Sequence, residues 1–174
     1  MTDHSVAAIR LAVLTVSDGC AAGVREDGSG EAIVTWCADR GHVVVDREVV
    51  PDDAHAITRR LLEWADSGRL DVILTTGGTG FTERDVTPEA TASVLDKEAP
   101  GIAEAMRRKG AEQTPAAILS RGLAGSRGSV FLANLPGSPG GVRDGLEVLD
   151  GVLSHLVQLL RGEATDHPTR GGTA

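Results

Sequence analysis

The sequence predicts an α/β domain built on a mostly parallel sheet, with helices on both faces and an antiparallel hairpin near its end. Three observations carry this prediction. Runs of branched apolar residues alternate with amphipathic stretches over the first half of the chain, the pattern of repeated strand–helix units. Asp71-Val72-Ile73-Leu74 is apolar without polar alternation, as expected for a strand covered on both sides. Leu119 to Ala124 and Ser129 to Asn134 are separated by Gly125-Ser126-Arg127-Gly128, which reads as a hairpin turn.

The elements follow in order. A first strand over Ile9 to Val16 ends in Ser17-Asp18-Gly19, and a polar, glycine-rich loop continues to Gly30. Ser29 or Gly30 starts a helix whose apolar side holds Ile33, Trp36 and Cys37 and which stops at Gly41. A second strand runs from Val43 to Val50 before Pro51. Asp52 or Asp53 caps the next helix, which gathers Ala54, Ile57, Leu61, Trp64 and Ala65 on one side and ends near Ser67-Gly68. The third strand follows. Thr87-Pro88-Glu89 carries a helix start, with threonine as N-cap, proline at the first helical position and an acid in the first turn, and predicts a helix to about Lys97. Pro100-Gly101 opens another, to Lys109. After the hairpin, Val142 to Leu160 reads as one helix with Val142, Leu146, Leu149, Leu153, Leu156 and Leu160 on a core-facing stripe. Residues 1–162 form a single domain in this reading, and 163–174 are a flexible tail.

Composition narrows the function classes. The 174 residues are about one domain, and 41% apolar content supplies a core built from Val, Leu, Ile and Ala. Aromatics make up 2% and the formal charge is −8, so stacking on nucleic acid is not a predicted activity. Nearly all the positive charge is arginine, since Lys97 and Lys109 are the only lysines. An anionic ligand would therefore need local guanidinium groups or a divalent metal to hold it. Cys20 and Cys37 form no zinc spacing, and no segment has the charged start and apolar run of a signal peptide or the length of a membrane span. A cytoplasmic protein is expected.

The chemistry points to strand ends. Thr75-Thr76-Gly77-Gly78-Thr79-Gly80 follows the buried third strand directly. Loops at the carboxyl edge of an open parallel sheet are where ligands bind, and glycine lets a ligand approach the main chain closely. The loop lacks the Gly-Lys-Ser/Thr ending of a P-loop, and Glu83 stands where a dinucleotide fingerprint needs its third glycine. Ser17-Asp18, Asp52-Asp53, the segment from Thr75 to Asp85, and Pro136-Gly137-Ser138 all fall at or just past strand ends and converge on one edge in a parallel sheet. Asp18, Asp52 and Asp85 are candidate ligands for a hard cation such as Mg²⁺, held with substrate phosphates. Each acid also has a structural reading: Asp18 as a turn residue, Asp52 as a cap, and Asp85 as half of an ion pair with Arg84.

These segments, with Asp27-Gly28-Ser29-Gly30, Arg84-Asp85-Val86-Thr87-Pro88 and Ala117-Ile118-Leu119-Ser120-Arg121, occur in an order that resembles the molybdenum cofactor biosynthesis family of the MogA/MoaB type. The resemblance covers roughly residues 8 to 162. It implies a three-layer α/β sandwich, a homotrimer, molybdopterin and ATP as partners, and Mg²⁺ as cofactor. The implied reaction is transfer of AMP from ATP to the molybdopterin phosphate with release of pyrophosphate, the product passing to a molybdate-insertion enzyme. By motif position Asp52 and Asp85 are the implied catalytic acids, with Asp85 also at the metal. Ser17, Asp18, Thr75, Thr76, Gly77, Gly78, Thr79, Gly80, Ser120, Arg121, Pro136, Gly137 and Ser138 are the implied substrate-binding residues. A non-catalytic, pterin-binding or scaffold relative is the competing reading. Gly19 departs from the pattern, since many relatives carry arginine there; Arg25 or Arg121 is expected to substitute.

Overall fold

Strand β1 (Arg10–Val16) lies between β2 (Val43–Val50) and β3 (Val72–Thr76), and all three run parallel. The computed structural model describes residues 8–163. Beyond β3 the sheet continues with β6 (Val130–Leu135), still parallel, then β5 (Ala124–Arg127) and the two-residue β4 (Lys97–Glu98), both antiparallel to their neighbours. The order is β2-β1-β3-β6-β5-β4. The predicted architecture is present: a mostly parallel sheet with an antiparallel element and helices on both faces.

Alternation along the central strands assigns the two faces. Leu11 and Val13 of β1, with Val72 and Leu74 of β3, pack against α2 (Gly28–Asp39), α6 (Pro139–Asp150) and α7 (Leu153–Leu160) through Ile33, Trp36, Leu146 and Val157. Ala12, Leu14 and Ile73 point the other way, to Ile57, Leu61 and Trp64 of α3 (Ala54–Ala65) and Ala90 of α4 (Thr87–Ala92). This makes three layers. α5 (Pro100–Ala111) lies on the α2–α6 side through Ile102 and Met106.

Four local expectations need correction. The final helix is two helices, because Gly151-Val152 interrupts it; glycine is a poor helix residue, and the Trp36 Nε1–H and the Arg40 guanidinium both close on Asp150 at the break. The break still keeps Leu149 and Leu153 buried, so the stripe is core. The helix from Thr87 ends at Ala92, not Lys97, because Lys97 and Glu98 pair with Ser126 and Gly125 as an edge strand. Thr87 is not the N-cap. Val86 occupies that position, while the Thr87 hydroxyl donates to the Gly77 carbonyl at 2.9 Å. The hairpin exists, but Gly125 to Arg127 are strand and the turn is Gly128-Ser129, with Gly128 at φ +52°; Pro115–Leu119, ahead of β5, is a 3₁₀ turn. The polar loop after β1 also holds a short helix, α1 (Asp18–Ala21), with Ser17 as its cap.

Candidate active site at the carboxyl edge

Four loops meet where β1, β2, β3 and β6 end. Ser17 N–H donates to Val50 O at 2.9 Å, joining the β1 and β2 ends. Beyond that bond Asp18 and Asp52 hold each other: Asp18 N–H donates to Asp52 Oδ2 at 2.8 Å and Asp52 N–H to Asp18 Oδ1 at 3.0 Å. Asp53, not Asp52, caps α3 by accepting from Ala56 N–H, which leaves Asp52 to face the site. Arg84 closes on Asp18 with both prongs, and these hydrogen bonds hold the Asp18 carboxyl below its ordinary range.

The glycine loop is folded against the same point. Gly77 N–H donates to Leu135 O, and the Thr76 hydroxyl donates to Pro136 O at 2.6 Å, tying the β3 end to the Pro136-Gly137-Ser138 loop. Gly77 and Gly78 take φ +96° and +64°. A Cβ on Gly77 would lie 2.2 Å from Val16 O, and one on Gly78 would lie 2.3 Å from Thr87 Oγ1. Both glycines are thus required by backbone conformation and packing, independently of any ligand. Asp85 turns back onto the loop, its Oδ2 accepting from Thr82 N–H at 2.8 Å and the Thr82 hydroxyl at 2.7 Å. Burial pushes the Asp85 carboxyl up, but these hydrogen bonds outweigh it and its pKa lies below the ordinary value.

Two cavities border the wall formed by the 76–80 and 136–141 loops, each taking different residues of it. The larger, about 800 Å³, is lined by Thr79, Gly80, Ser120, Pro136 and Ser138 of the expected set, with Phe81, Met106, Arg107 and Arg143 added. The smaller, about 420 Å³, is lined by Ser17, Asp52, Thr76, Gly77, Gly78 and Gly137, together with Arg25, Gly28 and Ser29 at the start of α2. The remaining expected residues support the walls. Thr75 is buried and accepts from Asn134 Nδ2 at 2.9 Å. Arg121 is committed to the carbonyls of Gly80 and Asp85, to Glu89 and to the face of Phe81. The Arg25 guanidinium has no hydrogen-bond or ion-pair partner among the described residues, while its backbone N–H donates to Gly19 O at 3.1 Å and its Cβ packs 3.4 Å from where a side chain on Gly19 would begin. Of the two arginines expected to replace the one missing at Gly19, Arg25 is the free one.

The sequence reading passed over four residues here. Phe81 is 73% exposed at the larger cavity, whereas both tryptophans and Phe131 are buried; in a chain with so few rings, an aromatic directly after a glycine loop was a usable signal. Asn134 bonds Thr75, Thr91 and the Leu123 N–H from the middle of the sheet, and nothing in its local sequence marks it. Arg107 and Arg143 lie on helices, where arginine is ordinarily solvent-facing.

Fold and site together define a ligand-binding α/β domain whose paired cavities share one backbone wall at the carboxyl ends of parallel strands. Residues 12–155 match the family described as "Probable molybdopterin binding domain", and the chain belongs to that family of molybdenum cofactor biosynthesis proteins. It is 38% identical over 156 residues to a molybdopterin adenylyltransferase of Helicobacter pylori (strain J99), covering 88% of this chain and 89% of that protein. It is 40% identical over 153 residues to the molybdenum cofactor synthesis protein cinnamon of Drosophila melanogaster, covering 87% of this chain but only 26% of that longer protein. Among solved structures, the molybdopterin biosynthesis enzyme MoaB from Thermus thermophilus superposes with a TM-score of 0.84 at 47% identity, covering 91% of this chain and 99% of the other.

Proposed function

We propose that this protein is a molybdopterin adenylyltransferase, a nucleotidyltransferase that joins AMP from ATP to the terminal phosphate of molybdopterin and releases pyrophosphate. The observation that carries the reading is the pair of cavities bordering one glycine-rich wall, because the reaction must hold two substrates with their phosphates touching. Named relatives with this activity over nearly the whole chain support it.

The chemistry asks for positioning more than for proton transfer. An oxygen of the molybdopterin phosphate bonds to the α-phosphorus of ATP. The bond from that phosphorus to the bridging oxygen breaks, and the electron pair leaves with pyrophosphate. A phosphate oxygen is already anionic at neutral pH, so no residue need remove a proton, and in-line alignment with charge stabilisation supplies the rate. The larger, mostly apolar cavity with Phe81 and Met106 suits a flat ring system. The smaller one offers Arg25, the hydroxyls of Ser17 and Ser29 and the α2 N-terminus to phosphates. Asp85 holds the glycine loop in place, and Asp52 faces the junction.

The donor set fits a magnesium ion shared with substrate phosphates, not a cage built by protein alone. No three acidic, histidine or cysteine side chains gather to hold a metal among the described residues, whereas Asp52 keeps Oδ1 clear of hydrogen bonds among them. Mg²⁺ is ordinarily held by one or two carboxylates plus phosphate oxygens. When bound it would neutralise the charge that builds on the phosphates. The same reading carries a homotrimer, a cytoplasmic setting and a molybdate-insertion enzyme as recipient of the product.

The test is turnover with molybdopterin, ATP and Mg²⁺, following pyrophosphate and adenylylated pterin by mass. Metal-dependent product is expected, with Asp52→Asn and Asp85→Asn each lowering kcat/KM by roughly 100-fold or more while pterin binding is retained. Wild-type protein that binds molybdopterin yet forms no product refutes the transferase.

A further inference from the structure

Arg84 reaches from the loop between β3 and α4 to the end of β1, where Nε bonds Asp18 Oδ2 at 3.0 Å and Nη2 bonds Asp18 Oδ1 at 2.8 Å. Asp18 Oδ1 also accepts the Asp52 N–H, so both oxygens of the carboxylate are taken. The guanidinium lies against Asp18, whose partner Asp52 lines the smaller cavity, and Asp52 and Asp53 both act on its charge.

The pair is easily exchanged. Its side chains are 62% and 50% exposed, so the pair is open to water and to a competing anion that offers the same two-pronged geometry. Other arginines around the site are less free to move. Arg121 is tied to two backbone carbonyls and Glu89, and Arg107 to the carbonyls of Ser120 and Gly122. In a chain of net charge −8, Arg25 lines the smaller cavity and Arg84 stands behind its Asp52 wall, joined to it through Asp18; these are the guanidinium groups that an incoming polyphosphate can recruit without dismantling the loops. A phosphate offers the same two-pronged geometry as a carboxylate with more charge.

Resting on the adenylyl-transfer reading, we propose that Arg84 is a substrate-exchanged latch. It covers Asp18 in the free protein, moves onto the polyphosphate of the incoming nucleotide, and thereby hands the Asp18 carboxylate to the divalent cation that travels with that nucleotide. One side-chain movement supplies both the cation the phosphates need and the carboxylate the metal needs. Metal binding is consequently coupled to nucleotide binding, and Asp18 is not offered to a metal that arrives alone.

The experiment uses the full chain as wild type, Arg84→Gln, Arg84→Lys, and Arg84→Gln combined with Asp18→Asn. Two titrations are made: Mn²⁺ alone, read by electron paramagnetic resonance, and Mn²⁺ with a non-hydrolysable ATP analogue, read by calorimetry. Arg84→Gln is expected to bind Mn²⁺ alone about fivefold more tightly, the most that an exposed pair withholds. It is expected to bind the metal–nucleotide roughly tenfold more weakly, having lost a charge-assisted contact. Adding Asp18→Asn removes the gain for Mn²⁺, and Arg84→Lys, which keeps the charge but not the fork, falls between wild type and Arg84→Gln. A merely structural Arg84 would shift both affinities the same way. Arg84→Gln protein that leaves both unchanged, or weakens both, overturns the latch while nucleotide binding by wild type upholds the wider reading. Wild-type protein that binds no nucleotide overturns both.

Discussion

Replacing Gly78 by alanine places a Cβ 2.3 Å from Thr87 Oγ1 and 3.2 Å from Asp52 Oδ1, at a backbone φ of +64°. Gly68, in the turn between α3 and β3, has φ +70° and nothing within 4 Å of its would-be Cβ. The two positions share the left-handed penalty, about 1 kcal/mol for a residue with a Cβ. They differ in overlap. At Gly78 the buried Thr87 must shift, a packing cost of about 1–3 kcal/mol. Its hydroxyl also loses the bond to Gly77 O, worth about 1 kcal/mol. Gly78→Ala is therefore expected to lose about 3–5 kcal/mol and Gly68→Ala about 1 kcal/mol. At about 2–4 °C per kcal/mol for a chain of this size, the Tm difference between the variants is roughly 4–16 °C. Urea unfolding at a common slope measures it, and turnover should fall only for Gly78→Ala, because Asp52 is pressed at the same time. Equal losses in the two variants would refute the packing account and leave the glycines to a ligand after all.

Three further outcomes are expected. Asn134→Ala strands the Leu123 N–H and the hydroxyls of Thr75 and Thr91 and should cost about 2–4 kcal/mol in urea unfolding; a loss below about 1 kcal/mol would mean that water replaces the amide. Burial opposes charge on Asp71, but hydrogen bonds from Arg10 and Arg161 outweigh it and hold its carboxyl far below the usual range. A depressed folded pKa gives stability that is complete above the unfolded value, about 3.9, and is lost as pH falls further. Asp71→Asn should thus cost about 1–3 kcal/mol at pH 7 and flatten the loss of stability below roughly pH 4, read from urea midpoints across pH; an unchanged acid limb would sink this assignment. Burial pushes the Cys37 thiol up to about 12, whereas Cys20 is partly exposed. Iodoacetamide with mass detection should label Cys20 alone in native protein and both thiols in urea; native labelling of Cys37 would mean that α2 opens readily.

What was legible in the sequence is the part that periodicity and turn chemistry encode. The central strands announce themselves because both of their faces are buried, so Val13 and Leu74 need no polar neighbours for their strands to be read. The carboxyl-edge loops could be placed as a set because parallel strands end on one side. Residues whose partners are distant in sequence were not legible. Lys97 and Glu98 become strand only because Gly125 allows close approach, a Cβ there falling 2.2 Å from Lys97 O. Asp27 looks like an ordinary loop acid, yet it caps α2 and accepts from Thr15 and Arg47, one from β1 and one from β2. The division of labour between Asp52 and Asp53 likewise depends on Asp18, across the gap between β1 and β2.

The carboxylate of Asp71 does more than resist acid. Arg10 opens β1 and Arg161 follows α7, so bonding both to one side chain brings the first and last elements of the described chain to a single point. That point lies at the amino edge of the sheet, about 20 Å from the glycine loop by the length of β1 and β3. A domain with its ends pinned together and turned away from its working edge can be spliced into a larger polypeptide, or have its chain order rotated by joining those ends, without disturbing the loops that bind ligand.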